Sequence, residues 1–437
     1  MSIEAIKNCL LNGSWGTEDF RSDKEYLVRE LLGAVESFSP LESSEYKDNP
    51  IQLIDFFCGA GGTSLGFASV NKILPTFKML GGCDINEISA KSYSKNFGTP
   101  VINRDITELA YEDGELEKVL NQIGYDPSKP TVLIGCAPCQ GFTSHRKRYW
   151  DEEDDGRNTL ILAFAEIVKK MNPDAIIMEN VPEFLSKKYW QYFSTAKKKY
   201  EECGYVVKES IYNAASFGVP QERFRAIVIA MKHDFLLPSI VYGTDEYRTV
   251  RDAISNFMPL ESGESDPDDP MHVAAKHKES TLDVIRHVPH DGGSRPAGIG
   301  SPCLDRTKGF ADVYGRLYWD RPSITITASS RNPASGRFSH PEQDRVITTR
   351  EAAALQSFPK GFVFTGGQSD ISRQIGEAVP PLLAAGVAAS VIIELISTLP
   401  SENELSESIA SITEPVSSSY SSVIAGLKNS RKGKKQQ

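Results

Sequence analysis

The chain is poor in the features that mark several protein classes. Its seven cysteines are scattered over 437 residues, which excludes a small disulfide-stapled scaffold and suits a reducing compartment. No apolar run approaching the ~20 residues that span a bilayer is evident, so no membrane role is expected. Met1-Ser2-Ile3-Glu4 offers no basic region ahead of an apolar core, and a secretory signal is not expected. A cytoplasmic location follows as the expectation. There is no Gly-x-Gly-x-x-Gly and no Walker loop with Lys-Ser or Lys-Thr, which removes the usual phosphate cradles. Only one Cys-x-x-Cys occurs, without further ligands at zinc spacing, so no metal is expected. Internal repeats are absent.

Charge is present in excess of one sign. The net charge is −10, which weighs against a chain coated for nonspecific binding to polyanions. Its distribution says more than its sum. Residues 252–270 carry six acids and no Lys or Arg, whereas residues 271–350 carry twelve Lys/Arg against eight Asp/Glu, with five of the seven histidines. His145-Arg146-Lys147-Arg148 forms a second basic cluster. Taken singly, such clusters read equally well as solvated faces. Their placement beside the reactive candidates below points to a polyanionic partner.

Short apolar runs at Gln52–Phe57, Phe77–Cys83, Thr131–Gly135, Ala175–Met178 and Ala226–Ala230 are bounded by Gly, Pro or Asp. Helical spacing over residues 86–96, 158–171 and 183–203 separates them. This alternation predicts βαβ units and a parallel sheet covered on both faces. The expected organisation is an N-terminal extension over 1–48 with one helix near residues 24–37, then a catalytic and cofactor-binding domain over 49–232. A smaller, irregular Pro/Gly/His/Arg-rich region follows over 233–370, and a helix over 371–399 returns to the main sheet. A Ser/Glu-rich tail over 400–437, ending in Arg431-Lys432-Gly433-Lys434-Lys435, is expected to be disordered.

Leu53-Ile54-Asp55-Phe56-Phe57-Cys58-Gly59-Ala60-Gly61-Gly62 reads as a strand, a glycine turn and a helix start. Glycines there allow close backbone approach to a ligand. Asp84 closes the second strand where a ribose-binding carboxylate belongs, and Asp105 follows the third. An acid at strand two without a pyrophosphate loop fits an adenosine ligand lacking a diphosphate, such as S-adenosylmethionine.

Three further strand ends carry reactive groups. Pro138-Cys139-Gln140 follows Thr131–Gly135 and presents a thiol in a tight loop. Cys136-Ala137-Pro138-Cys139 also matches a redox Cys-x-x-Cys, and a buried inert cysteine is the plain alternative. Glu179-Asn180-Val181 ends an apolar strand with a carboxyl whose burial favours holding a proton near neutrality. A helix-capping role is the alternative there. In Gln221-Glu222-Arg223-Phe224-Arg225, the alternating arginines share one face. A surface salt bridge is their alternative.

In this order, these motifs resemble the DNA cytosine-5 methyltransferase family. So do Arg321-Pro322-Ser323-Ile324-Thr325-Ile326-Thr327, His340-Pro341, Arg350-Glu351-Ala352-Ala353 with Leu355-Gln356-Ser357-Phe358-Pro359, and Gln374-Ile375-Gly376-Glu377-Ala378-Val379-Pro380. The resemblance runs from Ile51 to about Val391. It implies a Rossmann-like α/β fold with a mostly parallel sheet and a second, smaller target-recognition domain. It implies Cys139 as nucleophile, Glu179 as acid, Arg225 on the cytosine carbonyl and Arg223 supporting thiol and carboxyl. It implies S-adenosyl-L-methionine held by Asp55, Phe57, Gly59, Gly61, Gly62, Asp84, Asp105, Ile106, Glu377 and Val379. Duplex DNA is the implied substrate, flipped-out cytosine the reacting base, and residues 141–157 the mobile lid. A monomer is expected, with a cognate restriction endonuclease as a genetic rather than physical partner.

The chain departs from the family at Glu377, where Asn is common in Gly-Asn-Ala-Val-Pro. A carboxylate there would accept from the cofactor's amino group. Rival readings are an RNA cytosine-5 methyltransferase of the same fold, a non-catalytic DNA-binding regulator and a nicotinamide dehydrogenase. The first lacks its Cys-Phe-Thr stretch, the second is disfavoured by an intact Cys139, Glu179 and Arg225, and the third lacks its phosphate loop.

Overall fold

A computed structural model describes residues 30, 33–38, 50–73, 75–138, 159–306, 312–396 and 411–416. Of the helix expected near residues 24–37, the described part includes a helical turn at 33–36.

Seven strands, most of them predominantly apolar, form one sheet. They are β1 (Ile51–Phe56), β2 (Phe77–Cys83), β3 (Val101–Ile102), β4 (Thr131–Gly135), β5 (Ala175–Asn180), β6 (Val206–Asn213) and β7 (Phe224–Met231). The order across the sheet is β3-β2-β1-β4-β5-β7-β6. Strands β1 to β5 pair in parallel, whereas β7 runs antiparallel to both β5 and β6. The sheet is therefore mixed, and the expectation of a parallel sheet holds only for its first five strands. Strand β6 had no apolar run to announce it, since Val206-Val207-Lys208-Glu209 breaks the pattern.

Alternate strand residues enter opposite cores. Leu53, Met79, Val132, Ile177 and Ile229 face one cluster. Ile54, Leu80, Leu133, Ile176 and Val228 face the other. The first cluster is closed by helices α1 (Gly62–Val70) and α12 (Pro381–Ile396). Their axes approach so closely that a Cβ on Gly66 would lie 2.5 Å from Ala384 atoms. The second is closed by α3 (Ile106–Tyr111), α4 (Glu115–Gln122), α5 (Leu160–Met171) and α6 (Trp190–Glu202). Helix α2 (Glu87–Phe97) follows β2. The stretch Gln368–Leu395 is long and apolar enough to cross a membrane, contrary to expectation, but 89% of its most apolar window is buried inside the molecule.

Among the described residues, the region after β7 contains only short helices, including α7 (Val250–Ile254), α8 (Glu279–Arg286), α9 (Cys303–Arg306) and α10 (Thr349–Leu355), before α11 (Gln368–Glu377). Just past the expected boundary at 233, Phe235, Leu236, Leu237 and Val241 pack in the first apolar cluster. A third apolar cluster joins Leu65 of α1 to Leu317, Ile326, Phe338, Leu355 and Ile375.

Buried arginines replace a sheet ladder in this region. Arg316 donates to the carbonyls of Ile285, Val288, His340 and Gln343. Arg337 donates to those of Gly292, Gly293 and Arg316. Each guanidinium satisfies several backbone acceptors that irregular chain would otherwise bury unpaired. This explains why the region shows weak periodicity yet is ordered. Residues 411–416, expected within a disordered tail, are also docked on the main domain through backbone hydrogen bonds.

Arg345 grips Glu351 with two bonds of 2.8 Å, and His340 lies 3.9 Å from the same carboxylate. Burial holds the His340 ring down at about 4, so it is neutral at pH 7 and is not an ion-pair partner. Glu351 is held at about 2: burial opposes ionisation, and the hydrogen bond and charge of Arg345 outweigh it. For both groups the folded value lies below the unfolded one. Stability is present at neutral pH and falls on acidification, between about 6.5 and 4 for His340 and about 4.5 and 2 for Glu351. We therefore predict that denaturant unfolding loses up to about 3 kcal/mol between pH 7 and 4, and that His340→Gln flattens the upper part of that slope. A wild-type midpoint unchanged between pH 7 and 5 would contradict it.

Candidate active site

Parallel strands deliver their C-terminal ends to one edge, and the strand order reverses where β1 lies between β2 and β4. Open α/β sheets place ligands at such a switch point. Here that edge opens into a cleft of about 1250 Å³, whose far wall is built from residues 324–328, 335–336, 338, 373–374 and 376–379.

The glycine turn after β1 forms one end. Phe57 adopts φ 57°, which turns the chain out of the strand. A Cβ on Gly59 would meet nothing within 4 Å, so this position faces open space. Gly62 is needed for packing, since a Cβ would lie 2.3 Å from the Val379 carbonyl oxygen. Gly61, at φ 98°, packs against the rings of Phe97 and Tyr93 and does not line the cleft.

Asp55 is also set back from the cleft. It is 1% exposed and absent from the cleft wall. Its Oδ2 accepts from Ser64 Oγ at 2.6 Å, and Ser64 meets the Tyr93 hydroxyl at 2.9 Å. Burial pushes its carboxyl up to about 7, with Ser64 opposing and Asp84 reinforcing the shift. The bond to Ser64 ties the end of β1 to α1.

Asp84 does reach the cleft. Its two oxygens accept from the Gly59 amide at 2.8 Å and the Asn86 amide at 2.7 Å, tying the glycine turn to the end of β2. Burial raises its pKa, opposed by those amides and by Arg373. Asp105 caps α3 by accepting from the Thr107 amide at 2.9 Å and also lines the cleft. Ile106, Phe57, Val379 and Glu377 line it as well. Ile85, 71% exposed beside Asp84, adds an apolar face. Two carboxylates flanked by Ile85 and Ile106, with open backbone at Gly59, fit an adenosyl ligand with hydroxyl and amine donors.

At the other end, antiparallel pairing sets Asn180 opposite Ala226 and Glu179 opposite Ile227. The end of β5 therefore meets the start of β7, and Arg225 Nε lies 2.6 Å from Glu179 Oε1. Both side chains are nearly buried. Asn180 Nδ2 donates to the Ala137 carbonyl at 3.2 Å, which pins the loop after β4 to the end of β5. Cys136 sits close to Thr63 Oγ1, at 3.5 Å. Burial and the carboxylates of Glu179 and Asp55 push its thiol well above the ordinary range, so it is a poor thiolate. That counts against the redox pair. Cys139 itself and the expected lid over 141–157 lie outside the described residues, which stop at Pro138 and resume at Thr159.

Arg223, 1% exposed, donates to the carbonyls of Ile326 at 2.9 Å, Gly376 at 2.9 Å and Ala378 at 3.0 Å. It clamps both neighbours of Glu377, a task its spacing from Arg225 does not reveal. Gln221 and Gln356 extend the clamp through a 2.8 Å bond, and Gln356 donates to the Ile375 carbonyl at 2.7 Å. Arg373 and Glu183 also line the cleft. Sequence spacing could not find Arg373, which approaches Asp84 from a distant helix. Glu183 follows Glu179 closely enough to have been considered. Among the described residues, no group of three or more metal-ligating side chains occurs.

Comparison with known proteins agrees with this geometry. The chain is 34% identical over 349 residues to Type II methylase M.HgiDII of Herpetosiphon aurantiacus, covering 78% of this chain and 94% of that protein. It is 36% identical over 340 residues to Type II methyltransferase M1.HphI of Haemophilus parahaemolyticus, covering 78% and 86% respectively. A solved structure from E. coli, described as a prophage-encoded DNA modification methyltransferase, shares the fold with a TM-score of 0.60 at 22% identity, covering 79% of this chain and 99% of that one. Residues 51–392 match C-5 cytosine-specific DNA methylase, and the chain belongs to that family of DNA methyltransferases.

Proposed function

We propose that the chain methylates carbon 5 of a cytosine within a specific duplex DNA sequence, by covalent addition of Cys139 to a flipped-out base. We further propose that this protects DNA from a cognate restriction endonuclease. The observation that carries the reading is the meeting of Glu179, Arg225 and the loop leading to Cys139 in the same cleft as Asp84 and Asp105.

S-adenosylmethionine supplies an electrophilic sulfonium methyl. Asp84 and Asp105 would hold its hydroxyl and amine donors, Ile85 and Ile106 its ring, and Glu377 its amino group. The remaining chemistry falls to this chain's own residues. A stacked base is out of reach, so the cytosine must leave the duplex. The Cys139 thiolate adds to carbon 6 while Glu179, carrying a proton, donates it to ring nitrogen 3. Arg225 holds the carbonyl oxygen. The ring then carries enamine character at carbon 5, which unmodified cytosine lacks. After methylation, loss of the carbon 5 proton to a base expels Cys139, and nitrogen 3 returns its proton. Irregular, arginine- and histidine-rich chain over 233–320 would read base edges and contact phosphates. Such contacts weaken with salt.

Two predictions follow from these assignments. Cys139→Ser abolishes methyl transfer with cofactor binding retained, and duplex DNA carrying 5-fluorocytosine at the target forms a denaturation-resistant adduct with the wild type only. Fluorine cannot leave as a cation, so elimination stalls. Normal turnover by the serine variant, or no adduct with active enzyme, would refute the covalent route. Asp84→Ala raises the cofactor Kd roughly 10–100-fold, the worth of a charge-assisted hydrogen bond. An unchanged Kd by calorimetry would leave Asp84 only its two backbone amides.

A further inference from the structure

The C-terminal segment 411–416 lies beyond the residues that match the family, which end at 392. It nevertheless docks beside the reacting site. Strand β6 is at the sheet edge, where one row of backbone groups would stay unpaired. At Glu209 of that edge, the amide donates to Ser411 Oγ at 3.0 Å and the carbonyl accepts from the Ile412 amide at 2.8 Å. Four residues on, the Val416 amide donates to the Leu185 carbonyl at 2.9 Å, and the Val416 carbonyl accepts from Lys187 at 3.2 Å. Ser186 and Val416 form a parallel bridge. Ile412 and Val416 also pack on the apolar cluster that contains Phe184 and Leu185.

The loop held this way is the continuation of Glu179-Asn180. Residues Pro182–Leu185 form a single 3-10 turn. On its inner side, Glu179, Val181 and Glu183 line the cleft. On its outer side, Leu185 and Lys187 hydrogen-bond to Val416. Asn180 in turn holds Ala137, two residues before Cys139. One short loop therefore connects the tail to Glu179 and, through Asn180, to Ala137 in the loop that leads towards Cys139.

We propose that residues 411–416 are a positioning strap for catalysis: they fix the loop after Glu179 from behind and so set the approach of Glu179 and Cys139 to the base. The proposal rests on the reading that these two residues react with cytosine. A short loop without the strap would keep its fold but lose the alignment that proton donation and thiolate addition require, and small misplacements are costly in rate.

The test uses full-length Val416→Pro, which removes the amide that donates to Leu185, and a chain ending before residue 400. Each is measured for kcat, for KM of DNA and cofactor, for thermal stability, and for hydrogen exchange of the peptide spanning 179–187. The strap predicts a roughly tenfold fall in kcat, an unchanged cofactor KM, and faster exchange over 179–185. It also predicts recovery of the truncated chain on adding a synthetic peptide of residues 408–420. A kcat within twofold of wild type in both folded variants would overturn it. So would a loss shared equally by cofactor binding and activity, which marks a purely structural role. If the wild type itself transfers no methyl group, the cytosine reading fails, while exchange over 179–185 still decides whether the segment straps the loop.

Discussion

The antiparallel pairing of β7 with β5 is the constraint on which the site depends. In a wholly parallel sheet, the start of β7 would lie at the opposite edge from the end of β5. Because β7 is reversed, Arg225 stands at the same edge as Glu179 and pairs with it at 2.6 Å. The two nearly buried groups require each other, since removing either leaves an unpartnered polar group in a poorly solvated place. The pair thus supports the edge of the sheet as well as presenting a carboxyl and a guanidinium to one ligand.

Around this pair, the molecule uses hydrogen bonds to backbone more than side-chain contacts to hold its cleft in shape. Asp84 fixes the glycine turn through two amides, Asn180 fixes the loop after β4, and Arg223 fixes the wall around Glu377 through three carbonyls. Apart from the local Asp84–Asn86 bond, each joins segments far apart in sequence. The cleft walls come from both the sheet edge and the irregular region, so its shape is a property of the two together. Arg316 and Arg337 do the same for the irregular region, whose many turns offer few carbonyls to regular partners.

The parts of this arrangement that were legible in sequence are those with local signals. β1, β2, β4 and β5 are predominantly apolar runs, and the motifs at their ends mark the edge where a ligand sits. The direction of β7 was not legible, because Ala226–Ala230 reads identically in either orientation. β6 was hidden by Lys208 and Glu209, and Glu209 tolerates full burial only because Lys197 meets it at 2.9 Å and 3.1 Å. Asp55 enters the expected cofactor set through the family resemblance alone. Ser64, which donates to it, and Tyr93, which meets Ser64, come from two helices with no pattern linking them to it. The docked segment 411–416 carries two apolar residues in a polar tail, too few to signal a partner surface without the edge strand that receives it.

The central claim is that Glu179 gives a proton to the base as Cys139 adds, with Arg225 holding both in register. Glu179→Gln keeps the size and hydrogen-bonding reach of the side chain but removes its acidic proton. Single-turnover methyl transfer on saturating DNA and cofactor measures the consequence without interference from product release. The account predicts a fall of about 10²–10⁴-fold with DNA binding retained. A glutamine variant within a few-fold of the wild-type rate would show that the proton comes from elsewhere, and that the pair with Arg225 serves the fold alone.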